Sequence, residues 1–224
     1  MTRFRVFSET GIRWVVITAV IAAIVNTQFN FLDTLPLWLI VLLLAVYYYD
    51  PDRKLPSHPL GIMCPIDGIV SHVELFHDPI RDRPARRIRV RADIVRVYYS
   101  RSPTEGKLME YWPQLQTDVP GYKRSEVNGV WWIQTDEEDD VVMIIQTPSK
   151  WPGRASCRIQ AGERIGQGRR CGRFPLFCDV DLLIPENAFV HAEVGQSVRA
   201  GQDALATLNH DVMPEANNLN ETVV

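Results

Sequence analysis

The sequence predicts a mainly β domain carried behind an N-terminal helical hairpin, and three observations predict it. Two apolar segments, Trp14–Val25 and Leu35–Tyr49, fill most of the first fifty residues. From Pro56 to about Asn209, apolar and polar residues alternate in short runs cut by Gly, Pro and Asp. No stretch of ten or more residues in that region keeps a 3.6-residue apolar period. A chain of 224 residues holds one substantial domain plus an anchor. The boundaries read as 1–54 for the hairpin, 55–210 for the β domain and 211–224 for a polar tail rich in Asn.

Taken in order, the first apolar segment extends through its flanks to Gly11–Thr27 and the second to Phe31–Tyr49. Arg3, Arg5 and Arg13 precede the pair, Arg53 and Lys54 follow it, and the connecting loop holds no Lys or Arg. That asymmetry predicts a transmembrane helical hairpin with both ends, and hence the β domain, on the cytoplasmic side. Trp38 and Tyr47–Tyr49 suit the headgroup level. Each apolar core is nonetheless shorter than the roughly 20 residues that span a bilayer comfortably.

Strands are expected at 69–76, 87–99, 130–135, 141–147 and 180–185. Arg87, Arg89 and Arg91 alternate with apolar residues and read as the solvated face of a strand, with contact to an anionic lipid surface as the alternative. The 24 basic and 27 acidic side chains give a net charge of -3 with no basic stripe, which excludes a nucleic-acid partner. Cys64, Cys157, Cys171 and Cys178 form neither a CxxC pair nor a zinc spacing and read as free thiols. His72 and Glu74 share one strand face while His77 points away, so no metal site is expected. Trp112, Trp131, Trp132 and Trp151 suit either a protein interface or core packing.

Two internal echoes sharpen the architecture. Pro65-Ile66-Asp67-Gly68 is echoed by Pro103-Thr104-Glu105-Gly106. The stretch Gly162 to Gly168, with Ile165 at its centre, is echoed by Gly195 to Gly201 with Val198. The second pattern resembles the glycine-bounded hairpins of lipoyl-like domains, and together the echoes predict a duplicated lipoyl-like β-sandwich, or barrel-sandwich hybrid.

A series of short motifs then resembles one family. Tyr47-Tyr48-Tyr49-Asp50-Pro51-Asp52-Arg53 is similar to the aromatic-aromatic-x-Asp-Pro-x-Arg segment of phosphatidylserine decarboxylases. Pro65-Ile66-Asp67-Gly68 resembles their Pro-Ala-Asp-Gly strand, and Arg101-Ser102-Pro103-x-x-Gly106 their Asn-Arg-x-Pro-x-x-Gly segment, with Ser100 in place of the Asn. Ala155–Ile159, Gly162-Glu163-Arg164-Ile165-Gly166 and Val180-Asp181-x-x-x-Pro185 resemble three further segments in the right order. The resemblance implies a membrane-anchored protein that handles phospholipid. In the family a serine attacks the preceding glycine carbonyl, the chain is cut, and the serine becomes a pyruvoyl group that forms a Schiff base with the substrate amine. An Asp–His pair serves that processing.

Carried over by position, the processing bond falls on Phe177-Cys178, the histidine on Tyr98 and the aspartate on Asp67. Counting forward from Gly166 places the bond on Cys171-Gly172 instead. Neither register holds a Gly-Ser pair, and the first keeps an attacking side chain. A cysteine can attack and be eliminated. Phe177 has a Cβ where glycine would move freely, and the Tyr98 phenol, with a reference pKa near 10, is a poor base at neutral pH. The resemblance therefore implies a non-catalytic homologue that binds membrane phospholipid or serves as an accessory subunit of a membrane protein complex. No cofactor is expected, with a pyruvoyl group only if Cys178 is processed. The alternatives are an active decarboxylase that uses such a group, and a structural interaction subunit.

Overall fold

In this computed structural model the described residues are 9–49, 53, 55–56, 58–93, 99–148, 155–175 and 177–209. Two helices open the chain, α1 (Glu9–Asn26) and α2 (Phe31–Tyr47). They pack against each other around the buried Ala22, and the Thr34 hydroxyl donates to Asn26 Oδ1 at 2.7 Å beside the turn. Ile12, Trp14, Ile17, Ile21 and Ile24 of α1, and Leu35, Leu39, Leu42 and Leu43 of α2, remain exposed.

The transmembrane hairpin expected from the sequence is corrected here, for among the described residues no helix is long and apolar enough to cross a membrane. The physical reason is length and charge together. Arg13 sits in the second turn of α1, so its uncharged run from Trp14 to Asn26 rises only about 20 Å, against a hydrocarbon core of roughly 30 Å. Helix α2 is 17 residues long, about 26 Å, and carries Asp33 and Pro36 in its first two turns.

The body is built from strands β1 (Gly61–Met63), β2 (Gly68–Asp78), β3 (Arg83–Ala92), β4 (Ser100–Arg101), β5 (Gly106–Trp112), β6 (Val127–Gln134) and β7 (Asp140–Gln146). It continues through β8 (Ser156–Cys157), β9 (Arg164–Ile165), β10 (Arg170–Arg173), β11 (Asp179–Pro185), β12 (Phe189–Val190), β13 (Ser197–Val198) and β14 (Ala204–Thr207). One eight-stranded sheet runs β13-β2-β3-β11-β7-β6-β5-β9, and two three-stranded sheets run β1-β14-β12 and β4-β10-β8. Neighbouring strands pair antiparallel throughout the described residues.

The inner face of the large sheet carries Val70, Val90, Val180 and Ile145 in one cross-strand row. It shares a core with Ile62, Leu205, Ala206 and Cys171 of the small sheets. The outer face carries a second core of Ala85, Val142, Ile144 and Leu183, roofed by Leu115 and Tyr122 from the segment between β5 and β6. A strand covered on both faces needs apolar residues at every position rather than alternation. The sequence of β7, with Val141 through Ile145 all buried, meets that need at the middle of the sheet.

One further expectation changes, and one pair of alternatives narrows. Arg87 and Arg89 are not a solvated face, because their guanidinia lie under the roof against acids. The buried Asp181 accepts from Arg89 Nε at 2.6 Å and Arg89 Nη2 at 2.7 Å, from the Tyr122 hydroxyl at 2.8 Å and from Gln146 Nε2 at 2.9 Å. That pairing raises the Arg89 pKa, and burial beside the Asp181 carboxylate raises that of the Tyr122 phenol. Of the four tryptophans of the β domain, the three described ones are packing residues. Trp131 is buried against Tyr111 and Phe174, Trp112 packs on the outer core, and Trp132 lies under Arg81 with its Nε1 donating to Asp140. Trp151 lies outside the described residues.

In place of two like sandwiches there is one eight-stranded sheet faced by two small ones, and the echoed motifs stand at its two sides. Strand β13, between Gly195 (φ 90°) and Gly201 (φ 69°), pairs Val198 with Gly68. Strand β9, between Gly162 (φ 94°) and Gly168 (φ 69°), pairs Ile165 with Gly106. Both Gly68 and Gly106 lie so close to the neighbouring backbone that a Cβ would meet a carbonyl oxygen, 2.0 Å from Arg91 and 2.2 Å from Gln134 respectively.

Candidate functional site

The Asp67 and Cys178 positions come together at one end of the large sheet. Asp67 precedes β2, its carbonyl accepts from Asp93 N at 2.9 Å, and Ala92 N donates to the Cys178 carbonyl at 3.0 Å. The end of β3 thus separates Asp67 from Cys178 by two strand spacings, about 10 Å between backbones. Tyr98 lies outside the described residues. The alternative pair, Cys171-Gly172, sits inside the β4-β10-β8 ladder with a strand on each side of it.

The Asp67 carboxylate is buried, 4% exposed, and fully engaged. Arg53 grips both its oxygens, and Ala200 N donates to Oδ1 at 2.7 Å. Arg53 also donates to the Ala200 carbonyl at 3.0 Å, so one guanidinium ties the segment after α2 to both β2 and the turn after β13. Sequence reasoning placed Arg53 in a motif but did not pair it with Asp67. The sequence signal was the joint presence of Asp-Pro-x-Arg and an acid before Gly68. A buried carboxylate held this way is charge-compensated and positioned. Its oxygens point at Arg53 and a backbone amide rather than at the 177–178 bond.

Phe177 takes φ 58°, the left-handed region where a Cβ is strained. Cys178 follows with its side chain turned into the inner core, 0% exposed. Burial, reinforced by the Asp179 carboxylate, pushes its thiol pKa up to about 12. At neutral pH the thiolate fraction is therefore on the order of 10⁻⁵. The family's pyruvoyl group would have to be made from residue 178, and the residues here do not fit it. In the uncut fold residue 178, whose Cα would become the ketone carbon, is fully buried in the inner core.

Outside the core, the same end of the sheet is open. One cross-strand row on the outer face runs Ser197, Ile69, Arg91, Asp179, Gln146. A cavity of about 520 Å³ lies to the Gln146 side of Arg91, walled by Phe177, Thr147 and Glu126 among others. A second, of about 430 Å³, lies to the Ile69 side and reaches Asp67 and Arg199. The Thr147 hydroxyl is buried without a hydrogen-bond partner among the described residues. His72, Glu74 and His77 form no metal cluster, and among the described residues no group of three or more His, Cys, Asp or Glu side chains could hold one.

Comparison with known proteins agrees with the motif series. The family model described as phosphatidylserine decarboxylase matches residues 87–206. A phosphatidylserine decarboxylase proenzyme of Burkholderia vietnamiensis is 30% identical over 208 residues, covering 91% of this chain and 96% of its own. One of Burkholderia pseudomallei is 30% identical over 208 residues, covering 91% of this chain and 95% of its own. Among solved structures, the glucose permease IIA of Mycoplasma capricolum overlaps 69% of this chain and 98% of its own, at a TM-score of 0.42 and 13% identity. That overlap is too slight to carry an argument. The relatives, the family match and the ordered motifs lead to one conclusion: this chain belongs to the phosphatidylserine decarboxylase family.

Proposed function

We propose that this chain is a non-catalytic member of the family that resides at a membrane surface and binds phospholipid there. The observation that carries the reading is the state of residues 177 and 178. The would-be nucleophile is a neutral thiol sealed in the core, and the residue before it is a phenylalanine in a left-handed conformation. Asp67, the one family site residue kept unchanged, is committed to Arg53. The exposed apolar residues of α1 and α2 support membrane residence, with the helices lying in or dipping into the interface rather than spanning it.

Intact-mass measurement of the purified chain tests this. A single species at the 25.6 kDa of the sequence is expected, while two fragments divided between Phe177 and Cys178 would overturn it. Those fragments would instead support an active decarboxylase with a pyruvoyl group derived from Cys178. One observation favours that second reading: residue 177 already has the backbone angle a glycine would take freely. A fixed protein partner that co-migrates in mild detergent would point to an accessory role in a membrane complex.

A further inference from the structure

The open corner of the β body beside Asp67 has features that neither the fold nor the processing site uses. Arg91 stands at the centre of the outer-face row, 68% exposed, with only a loose contact of 3.5 Å from its Nε to Asp179. Across the second cavity, the side chain of Arg199 has no ion-pair or hydrogen-bond partner among the described residues. Of the neighbouring carboxylates, Asp179 makes the loose pair with Arg91, and three others are held elsewhere. Asp67 is held by Arg53, Asp93 has a partner of its own, and Asp203 accepts from the backbone N–H of Arg199 at 2.7 Å. The cations lining the second cavity are therefore the guanidinium groups of Arg91, in its loose pair with Asp179, and of Arg199, and guanidinium matches phosphate in geometry and hydration.

Apolar side chains stand beside them. Ile69 is 54% exposed between Arg91 and Ser197, and Val194 is 64% exposed at the turn that hydrogen-bonds to Val70. The corner is also tied to the root of the hairpin. Helix α2 ends at Tyr47, and Arg53, six residues on, is bonded to Asp67 and Ala200 at the cavity. Six residues reach at most about 20 Å. The corner therefore lies within about 20 Å of the end of the hairpin, near enough for one lipid surface to contact both.

We propose that this corner is a second membrane contact, in which Arg91 and Arg199 bind phosphates of an anionic phospholipid surface while Ile69 and Val194 enter the headgroup layer. The inference rests on the membrane reading of the chain given above, and adds to it a named surface and a preference for anionic lipid. Each arginine near such a surface strengthens binding about fivefold.

The full-length protein is to be sedimented with vesicles of pure phosphatidylcholine and with vesicles of an equimolar phosphatidylcholine–phosphatidylglycerol mixture. The wild type is expected to bind the mixture more tightly, with an excess that shrinks as salt is raised. In the double variant Arg91→Gln/Arg199→Gln that excess falls by more than tenfold while binding to pure phosphatidylcholine stays the same, and Arg91→Lys/Arg199→Lys keeps most of it. Lys107→Gln/Arg164→Gln, at the opposite edge of the sheet, serves as the control and leaves the excess intact. An unchanged excess in the Gln double variant, or an equal loss in the control, overturns the proposal and leaves the membrane reading standing. Failure of the wild type to bind either vesicle overturns both.

Discussion

Phe177 offers a test in which the sign of the result, not only its size, is set by the backbone. At an ordinary φ, replacing alanine by glycine destabilises a protein by about 0.5–1 kcal/mol, because glycine loses more freedom on folding. At φ 58° the alanine methyl instead costs about 1–2 kcal/mol, which glycine does not pay. Subtracting the two puts Phe177→Gly roughly 0.5–1 kcal/mol above Phe177→Ala in stability. Both variants lose the same half-buried ring, so that loss cancels in the comparison. Urea unfolding of the full-length variants, followed by fluorescence of the buried Trp131 and its neighbours, measures the difference. If the alanine variant proves equal to or more stable than the glycine variant, residue 177 does not hold the left-handed conformation. The structural account of its replacement for glycine then fails.

Three more outcomes follow from the same geometry. Arg53→Gln leaves the Asp67 carboxylate buried without its counter-charge, and should destabilise the β body by about 3 kcal/mol in the same urea assay; a change within experimental error would mean the clamp contributes nothing. Gly68→Ala drives a methyl into the Arg91 carbonyl and should cost about 1–3 kcal/mol, with Gly106→Ala behaving alike, whereas Gly195→Ala meets no atom within 4 Å and is opposed only by its φ of 90°. Burial raises the thiol pKa of Cys178 and of Cys171 from 9.0 to about 12, so both stay protonated in the fold while the unfolded chain ionises above pH 9. Unfolding then releases protons, and stability, complete below pH 9, should fall by about 1.4 kcal/mol per pH unit per thiol between pH 9 and 12. Cys171→Ala/Cys178→Ala should make that slope shallower, with the buried Cys64 thiol still contributing its share, and an unaltered slope would assign it to other groups.

Much of the architecture is legible in the chain because it rests on local pattern. The alternation at 69–76 and the apolar run at 141–147 mark strands directly, and the glycine-bounded stretches around Ile165 and Val198 take matching backbone angles where the echo places them. Helix length was less legible. Hydropathy does not show where Arg13 and Asp33 fall relative to the helix ends, and a few residues decide whether a segment can cross a bilayer. Alternation identifies a face without saying what covers it, so it does not distinguish the covered Arg87 and Arg89 of β3 from the exposed Arg91. The roof that carries Tyr122 arrives from more than thirty positions away. A hint existed in Asp181, the one polar residue between Val180 and Ile184, which needs a cation on the neighbouring strand. At the site, Asp67 was legible as an acid before a glycine, but its bond to Arg53 was not, since nothing local records a pairing across 14 positions.

The short flanks of the large sheet also bear on how copies of this protein meet one another. Strands β13 and β9 are each two residues long, and each is closed at both ends by a glycine in the left-handed region. An unpaired edge is a template onto which another chain can add a strand, and the longer and flatter it is, the better it serves. Here each flanking strand pairs only the first residues of its long neighbour, Gly68–Val70 of β2 and Gly106–Leu108 of β5. Proteins gathered on a surface collide side by side far more often than proteins free in three dimensions. The same glycine turns that mark the internal echo thus cover only those first residues of β2 and β5 against a neighbour's strand.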